Sequence, residues 1–179
     1  VNKKMVQPVV NLTNSILDIQ TNKDFTKRVD IQTNIQELGL LQDNFNSLLI
    51  TIKYYYDKLI QKIYTDELTL INNLTKLQHD LDIKNEKLSL ILLDIKSFSK
   101  LHKVYGNNVS DFILKKFTNN INKVLNNDGV VYRLYSDQFA IVYERNIEEK
   151  DVLSFTSSLK KFIYTYKSSE FILDLTVGY

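Results

Sequence analysis

Cysteine is absent from this 179-residue chain, which rules out disulfides and thiolate-bound metal. The only histidines, His79 and His102, stand far apart in sequence, so a histidine-rich metal centre is not expected. No apolar run approaches the roughly 20 residues needed to span a bilayer, and no signal peptide is visible. Charge of one sign is also missing. The 23 Lys and Arg against 21 Asp and Glu leave a formal net charge of +2. That is too small to argue for nucleic acid or an anionic membrane surface as partner. Proline occurs once, at Pro8, and glycine at Gly39, Gly106, Gly129 and Gly178 alone. Asn, Lys and Ile are abundant, a bias that an AT-rich genome would produce. What remains is ordinary for a globular protein, with 44% hydrophobic and 25% charged residues. The length suits one full domain plus a smaller module.

Residues 6–20 read as a helix. Val9, Leu12, Ile16 and Ile19 repeat with the 3-4-3 spacing of a narrow coiled-coil seam. Pro8 falls near its start, where a missing N–H is tolerated. Residues 21–36 lose the period and read as a polar connector. A second helix starts near Glu37, and Leu38, Leu41, Phe45, Leu48, Ile52, Tyr55 and Leu59 keep a 3-4 alternation. A strict 3.5 period over that length calls for a partner helix. Two helices with narrow seams cannot bury them alone, so a dimer is expected. Tyr54, Tyr55 and Tyr56 read as seam and flank.

Further on, 73–81 reads as a short helix capped by Asn73, with His79 solvated on its surface. Residues 87–95 form a near-continuous apolar run, expected as a strand buried on both faces. A helix is expected over 110–125, with Ile113, Phe117, Ile121 and Val124 on one face. Asn126-Asn127-Asp128-Gly129 reads as a turn. Residues 131–143 read as two short strands joined by a tight polar turn with Asp137 at its tip. A helix is expected over 148–166, acidic at its start and lysine-rich later, then a strand over 171–179. The order helix, strand, helix, hairpin, helix, strand gives an α/β domain with a mixed sheet. A final strand with nothing after it suggests a piece of a longer protein, truncated at its C-terminus.

Two families share these patterns. Pro8, Glu37-Leu38-Gly39-Leu40-Leu41 and Phe45-Asn46-Ser47-Leu48-Leu49 resemble the HAMP domain, the two-helix relay of bacterial receptors. The resemblance implies a parallel homodimeric helical bundle over 1–53. It also implies a connecting signalling helix over 54–65 and a transmembrane segment preceding residue 1. The domain would then lie on the cytoplasmic side of the plasma membrane. Gly39 is expected to let the connector approach the helix; a plain coiled-coil stalk is the alternative.

Residues 66–179 resemble a GGDEF domain, the fold of enzymes that condense two GTP into cyclic di-GMP. Four landmarks carry this: Asp66-Glu67-Leu68-Thr69-Leu70-Ile71-Asn72-Asn73, Asp94-Ile95-Lys96-Ser97-Phe98, Tyr105-Gly106 with Asp111, and Arg133 with Tyr135-Ser136-Asp137-Gln138-Phe139. Leu70, Lys96, Ser110, Tyr135, Ser136 and Gln138 replace family residues there.

The resemblance implies Mg²⁺ at Asp94 and Asp137, with Asp137 a vestige of the catalytic hairpin, and guanine contacts from Asp111 and His102. Mg²⁺ and GTP are the cofactors it implies, weakly held. The second hairpin acid is Gln138, a poor Mg²⁺ ligand. The two glycines that allow positive φ and close passage of nucleotide are Tyr135 and Ser136. His102 replaces the amide that reads the base, and the family's product-inhibition Arg-x-x-Asp would fall on Asn126 and Gly129. Plainer readings exist for each acid: Asp94 as a strand terminator, Asp111 as a helix-dipole partner and Asp137 as turn chemistry. The expectation is a degenerate, non-cyclising GGDEF relay domain, commonly followed in such proteins by a cyclic di-GMP phosphodiesterase (EAL) domain. The alternatives are an active cyclase with a divergent hairpin and a purely structural dimerisation domain.

Overall fold

The computed structural model describes residues 3–84 and 87–179. The chain divides into two compact units, Val1–Gln61 and Lys62–Tyr179. The expected N-terminal module begins at residue 1, and residues 1 and 2 lie outside the described part.

The first unit holds α1 (Lys3–Asn22) and most of α2 (Gln36–Tyr64). Pro8 lies in the second turn of α1, not at its start as expected. There it lacks the N–H that would close an i to i−4 bond. Leu12, Ile19, Val29, Ile31 and Leu49 form the unit's core, with Ile16, Phe25, Leu38 and Phe45 packed against it. The connector is therefore not purely polar. Val29 is 1% exposed, and its backbone N and O are both held by the Asn46 amide at 2.9 Å. Ile31 N donates to Gln42 Oε1 at 2.7 Å. Asn46 and Gln42 thus satisfy a non-helical backbone run along α2.

The seam of α2 splits in two. Its residues Leu38 and Phe45 pack, with Leu49 from outside the seam, on α1 and the connector, whereas Leu41, Leu48, Ile52, Tyr55 and Leu59 are exposed. Val9 is exposed as well. The expected close approach at Gly39 is not seen within the chain, since a Cβ there would meet nothing within 4 Å. Tyr54, Tyr55 and Tyr56 are largely exposed; the Tyr56 ring lies tilted against Phe25, centroids 5.8 Å apart.

The second unit is built on a five-stranded mixed sheet of order β1-β3-β4-β2-β7. Its strands are β1 (Asn72–Asn73), β2 (Ser89–Ile95), β3 (Val130–Arg133), β4 (Gln138–Tyr143) and β7 (Leu175–Gly178). Only β1 and β3 pair in parallel. One face carries Ile91, Leu93, Ile95, Val131, Phe139 and Ile141. It packs on Ile113, Phe117 and Ile121 of α4 (Phe98–Leu125) and on Val152, Phe155 and Leu159 of α5 (Glu149–Lys160). Each such side chain contributes roughly 1.5–3 kcal/mol by leaving water.

The other face is covered in part. Leu77 of α3 (Leu74–Ile83) packs on Tyr132, Ala140 and Val142. Asn73 caps α3 as expected, its side chain accepting from Lys76 N at 3.0 Å. β2 is not buried on both faces: Leu90 and Leu92 are exposed, because α3 lies over β3 and β4 rather than over β2. His79 is not simply solvated. Its ring lies tilted against Tyr64, centroids 5.1 Å apart, and its Nδ1 lies 3.5 Å from Asp80. Asp80 also takes Lys76 Nζ at 2.6 Å and the Tyr132 hydroxyl at 2.8 Å.

The last helix is shorter than expected. α5 opens with a capping box in which Asp151 accepts from Glu148 N at 2.9 Å, and it closes at Lys160. Residues 163–172 then form a separate hairpin of β5 (Ile163–Tyr166) and β6 (Ser169–Ile172), turned through Lys167 at φ 53°. The run Ile163-Tyr164-Thr165-Tyr166 is β-branched or aromatic throughout and favours the pleated state. Packing of Tyr164 near Phe117, centroids 6.5 Å apart, anchors that hairpin.

Candidate functional site

The site assembles where β2 ends, around the β3–β4 loop. Asp94 and Gln138 are direct cross-strand partners, so their side chains share a face. Gln138 Nε2 donates to Asp94 Oδ2 at 3.2 Å. Thr176 of β7 flanks Asp94 on its other side. A groove of about 280 Å³ lies alongside, lined by Leu92, Asp94, Leu134, Gln138, Thr176 and Gly178 among others.

Asp137 sits in the loop itself, half-buried and one residue before Gln138. The loop is longer than a two-residue turn, spanning 134–137. It is closed by Leu134 N to Gln138 O at 2.8 Å and Gln138 N to Tyr135 O at 2.7 Å. Ser136 adopts φ 44° there, and Leu70 adopts φ 61° in the 66–71 loop. Both stand at positions where the GGDEF pattern has glycine. The left-handed backbone has survived the loss of the residue best suited to it. Tyr135 is exposed at the tip.

Arg133 holds this loop from below. Its Nε and Nη2 donate to Ser136 O at 3.0 and 2.6 Å, and its Nη1 to Asp66 Oδ1 at 2.9 Å. Asp66 Oδ1 also accepts from Thr69 N at 2.8 Å and Thr69 Oγ1 at 2.6 Å. Burial alone would raise the Asp66 carboxyl, but the hydrogen bonds from Thr69 and the Arg133 guanidinium outweigh it and hold it below the usual range. The sequence placed Asp66 and Arg133 in two separate motifs; their pairing across 67 residues appears only in the fold.

His102 and Asp111, the residues expected to contact guanine, lie elsewhere, on α4. Gly106, at φ 76° and ψ 180°, breaks that helix into 98–105 and 107–125, a conformation that glycine alone adopts freely. The break turns His102 back toward the second half, where its Nδ1 lies 3.0 Å from Ser110 Oγ. Ser110, 1% exposed, is also within bonding distance of the Gly106 and Asn107 carbonyls. His102 is thus brought to the residue beside Asp111. Because the helix restarts at 107, Asp111 falls in its second turn, outside the reach of the dipole reading. Among the described residues no hydrogen bond or ion pair joins Asp94 or Asp137 to His102 or Asp111.

The fit to Mg²⁺ is poor. Among the described residues no group of three or more His, Asp or Glu side chains is placed to hold a metal ion. One of the two candidate carboxylates is already bonded by an amide. No described helix is long and apolar enough to cross a membrane.

Comparison with known proteins bears on the same residues. The family model "Diguanylate cyclase, GGDEF domain" matches residues 63–177. Diguanylate cyclase TpbB of Pseudomonas aeruginosa is 24% identical over 192 residues, covering 97% of this chain and 44% of its own length. Diguanylate cyclase DgcS of Shewanella oneidensis is 33% identical over 70 residues, covering 39% of this chain and 24% of its own length. The chain thus spans less than half the length of these relatives. The solved coiled coil and GGDEF domain of DgcB from Caulobacter crescentus, in complex with c-di-GMP, superposes with a TM-score of 0.67 at 15% identity. It covers 79% of this chain and 81% of that one. A diguanylate cyclase/phosphodiesterase from Caldicellulosiruptor saccharolyticus gives a TM-score of 0.61 at 21% identity, over 67% of this chain and 76% of that one. The fold is N-terminal helices followed by a GGDEF α/β domain with a mixed sheet, and the chain belongs to the GGDEF diguanylate cyclase family.

Proposed function

We propose that this chain is a relay module of cyclic di-GMP signalling whose GGDEF domain does not condense GTP. The observation that carries the reading is the hairpin: Gln138 stands in place of an acid and is bonded to Asp94. Phosphoryl transfer in this fold needs carboxylates that gather divalent cations around a triphosphate. The side chains present supply Asp94 and Asp137, one of them engaged by a neutral amide, and Tyr135 stands at the loop tip where nucleotide would pass. GTP association, with Asp111 and His102 toward the base, would then be weak.

The N-terminal helices act in this reading as a HAMP-type module, residues 1–53, joined by a signalling helix, 54–65, to a GGDEF domain over 66–179. The connector pinned through Val29 and Ile31 supports a HAMP-type module. The exposed stripe Leu41, Leu48, Ile52, Tyr55 and Leu59 supports a parallel homodimer. The intact protein would be anchored by a transmembrane segment before residue 1, face the cytoplasm and act on a downstream output domain of the phosphodiesterase (EAL) kind.

A second reading is an active cyclase with a divergent hairpin, favoured by 24% identity to the cyclase TpbB across 97% of the chain. A turnover assay with GTP and Mg²⁺ decides between them. No cyclic di-GMP is expected. The triple reversal Tyr135→Gly, Ser136→Gly, Gln138→Glu should tighten GTP binding, and adding Asp94→Asn should undo the gain. Product from the parent that disappears with Asp137→Ala would overturn the proposal.

A further inference from the structure

The misfit between this site and a divalent cation has a structural cause of its own. Asp94 and residue 138 are directly opposed across β2 and β4. Two carboxylates so placed repel, and a divalent cation held between them by its preference for carboxylate oxygens would offset that repulsion. Here the opposing group is an amide. Its Nε2–H points a hydrogen bond at Asp94 Oδ2, 3.2 Å away. The pair is satisfied without an ion. Two residues beyond Asp94 stands Lys96, exposed, with its backbone N bonded to Asp174 O at 2.8 Å. The loop that follows Arg133 is held by that guanidinium on Ser136 O, again without metal.

We propose that the Gln138 amide takes the place of the bridging cation. The hairpin is then tied to β2 by protein groups alone, and its position is indifferent to Mg²⁺. The domain would hold one hairpin geometry in the presence or absence of divalent ions. The proposal uses the hairpin on which the non-cyclising reading rests, yet the two fail separately. Product formation from GTP would sink that reading, whereas a cation-dependent hairpin would sink this one.

The test is thermal unfolding of the full chain by circular dichroism, with millimolar Mg²⁺ or with a chelator, alongside the side-chain amide resonance of Gln138 in a ¹⁵N-labelled sample. The parent should melt at the same temperature in both conditions, with the amide resonance unmoved by Mg²⁺ and shifted by Asp94→Asn. Gln138→Glu should melt about 1–4 °C lower in chelator and recover with Mg²⁺. Combining it with Asp94→Asn should abolish the recovery. Should Gln138→Glu fail to fold, the parent and Asp94→Asn decide alone, and both must ignore Mg²⁺. A parent midpoint that rises with Mg²⁺ and stops doing so in Asp94→Asn would overturn the proposal. So would a Gln138→Glu chain that responds to Mg²⁺ no more than the parent does.

Discussion

Replacing Arg133 by methionine keeps most of the apolar stem and removes the guanidinium. The side chain is 11% exposed and its partner Asp66 is 24% exposed. Breaking a fully buried ion pair costs about 3–5 kcal/mol, and an exposed one about 0.2–1 kcal/mol. Asp66 keeps both Thr69 hydrogen bonds, and the Ser136 carbonyl released at the exposed loop can turn to water. The loss should therefore lie between those limits, near ~2 kcal/mol, lowering the melting midpoint by roughly 5–10 °C. The pH dependence provides the sharper test. Asp66 is held below its ordinary value, so its contribution to stability is full above the unfolded carboxylate pKa of about 3.9, shrinks below it, and is gone once pH has fallen through the lower folded pKa. The variant has already lost the Arg133 share. Urea unfolding followed by far-ultraviolet circular dichroism should show the two chains far apart near neutral pH and closer at about pH 3. A cost below about 0.5 kcal/mol, or a gap that widens on acidification, would refute the reasoning. A double-mutant cycle with Asp66→Asn should return most of the difference as coupling.

Leu70→Gly should stabilise the second unit by ~0.5–1 kcal/mol, since Leu70 holds φ 61° with its side chain 75% exposed; a lower melting midpoint would contradict this. Leu48→Asp, on the exposed stripe of α2, should yield a folded monomer by sedimentation, whereas a dimer of unchanged affinity would remove that stripe from the interface. Phe45→Asp is expected to do more, disturbing the chain's own cluster with Leu12 and Leu49, which helicity measured on the same sample would register.

Local rules were legible where one residue settles one conformation. Asn73 caps α3 because its side chain reaches Lys76 N; Gly106 was a motif position in the sequence, and its break in α4, at the residue that takes that φ cheaply, came only with the structure. The apolar face Ile113, Phe117, Ile121 could be read from its period, and all three are wholly buried. Residues 148–166 read as one helix because charged, helix-compatible residues run up to Lys161; the β-branched and aromatic run 163–166 was the local signal for the switch, and Phe117 on α4 gives Tyr164 its surface. The run 88–93 is apolar on both faces, yet which face stays open depended on where α3 came to rest. The connector looked polar because two buried residues, Val29 and Ile31, carry no period of their own.

By itself the sequence determined the membership of motifs, the Asn73 cap and which pattern residues are replaced in the hairpin, because each of these is a property of neighbouring residues. It placed Asp94 in one motif and Gln138 in another, and Asp66 and Arg133 likewise. Only the tertiary structure decided that Gln138 bonds Asp94 and that Arg133 joins Asp66 to the loop. Those contacts span 44 and 67 residues, and they exist because strand register, set by the burial of Leu93, Phe139 and Ile141 on one face, leaves Asp94 opposite Gln138 on the other.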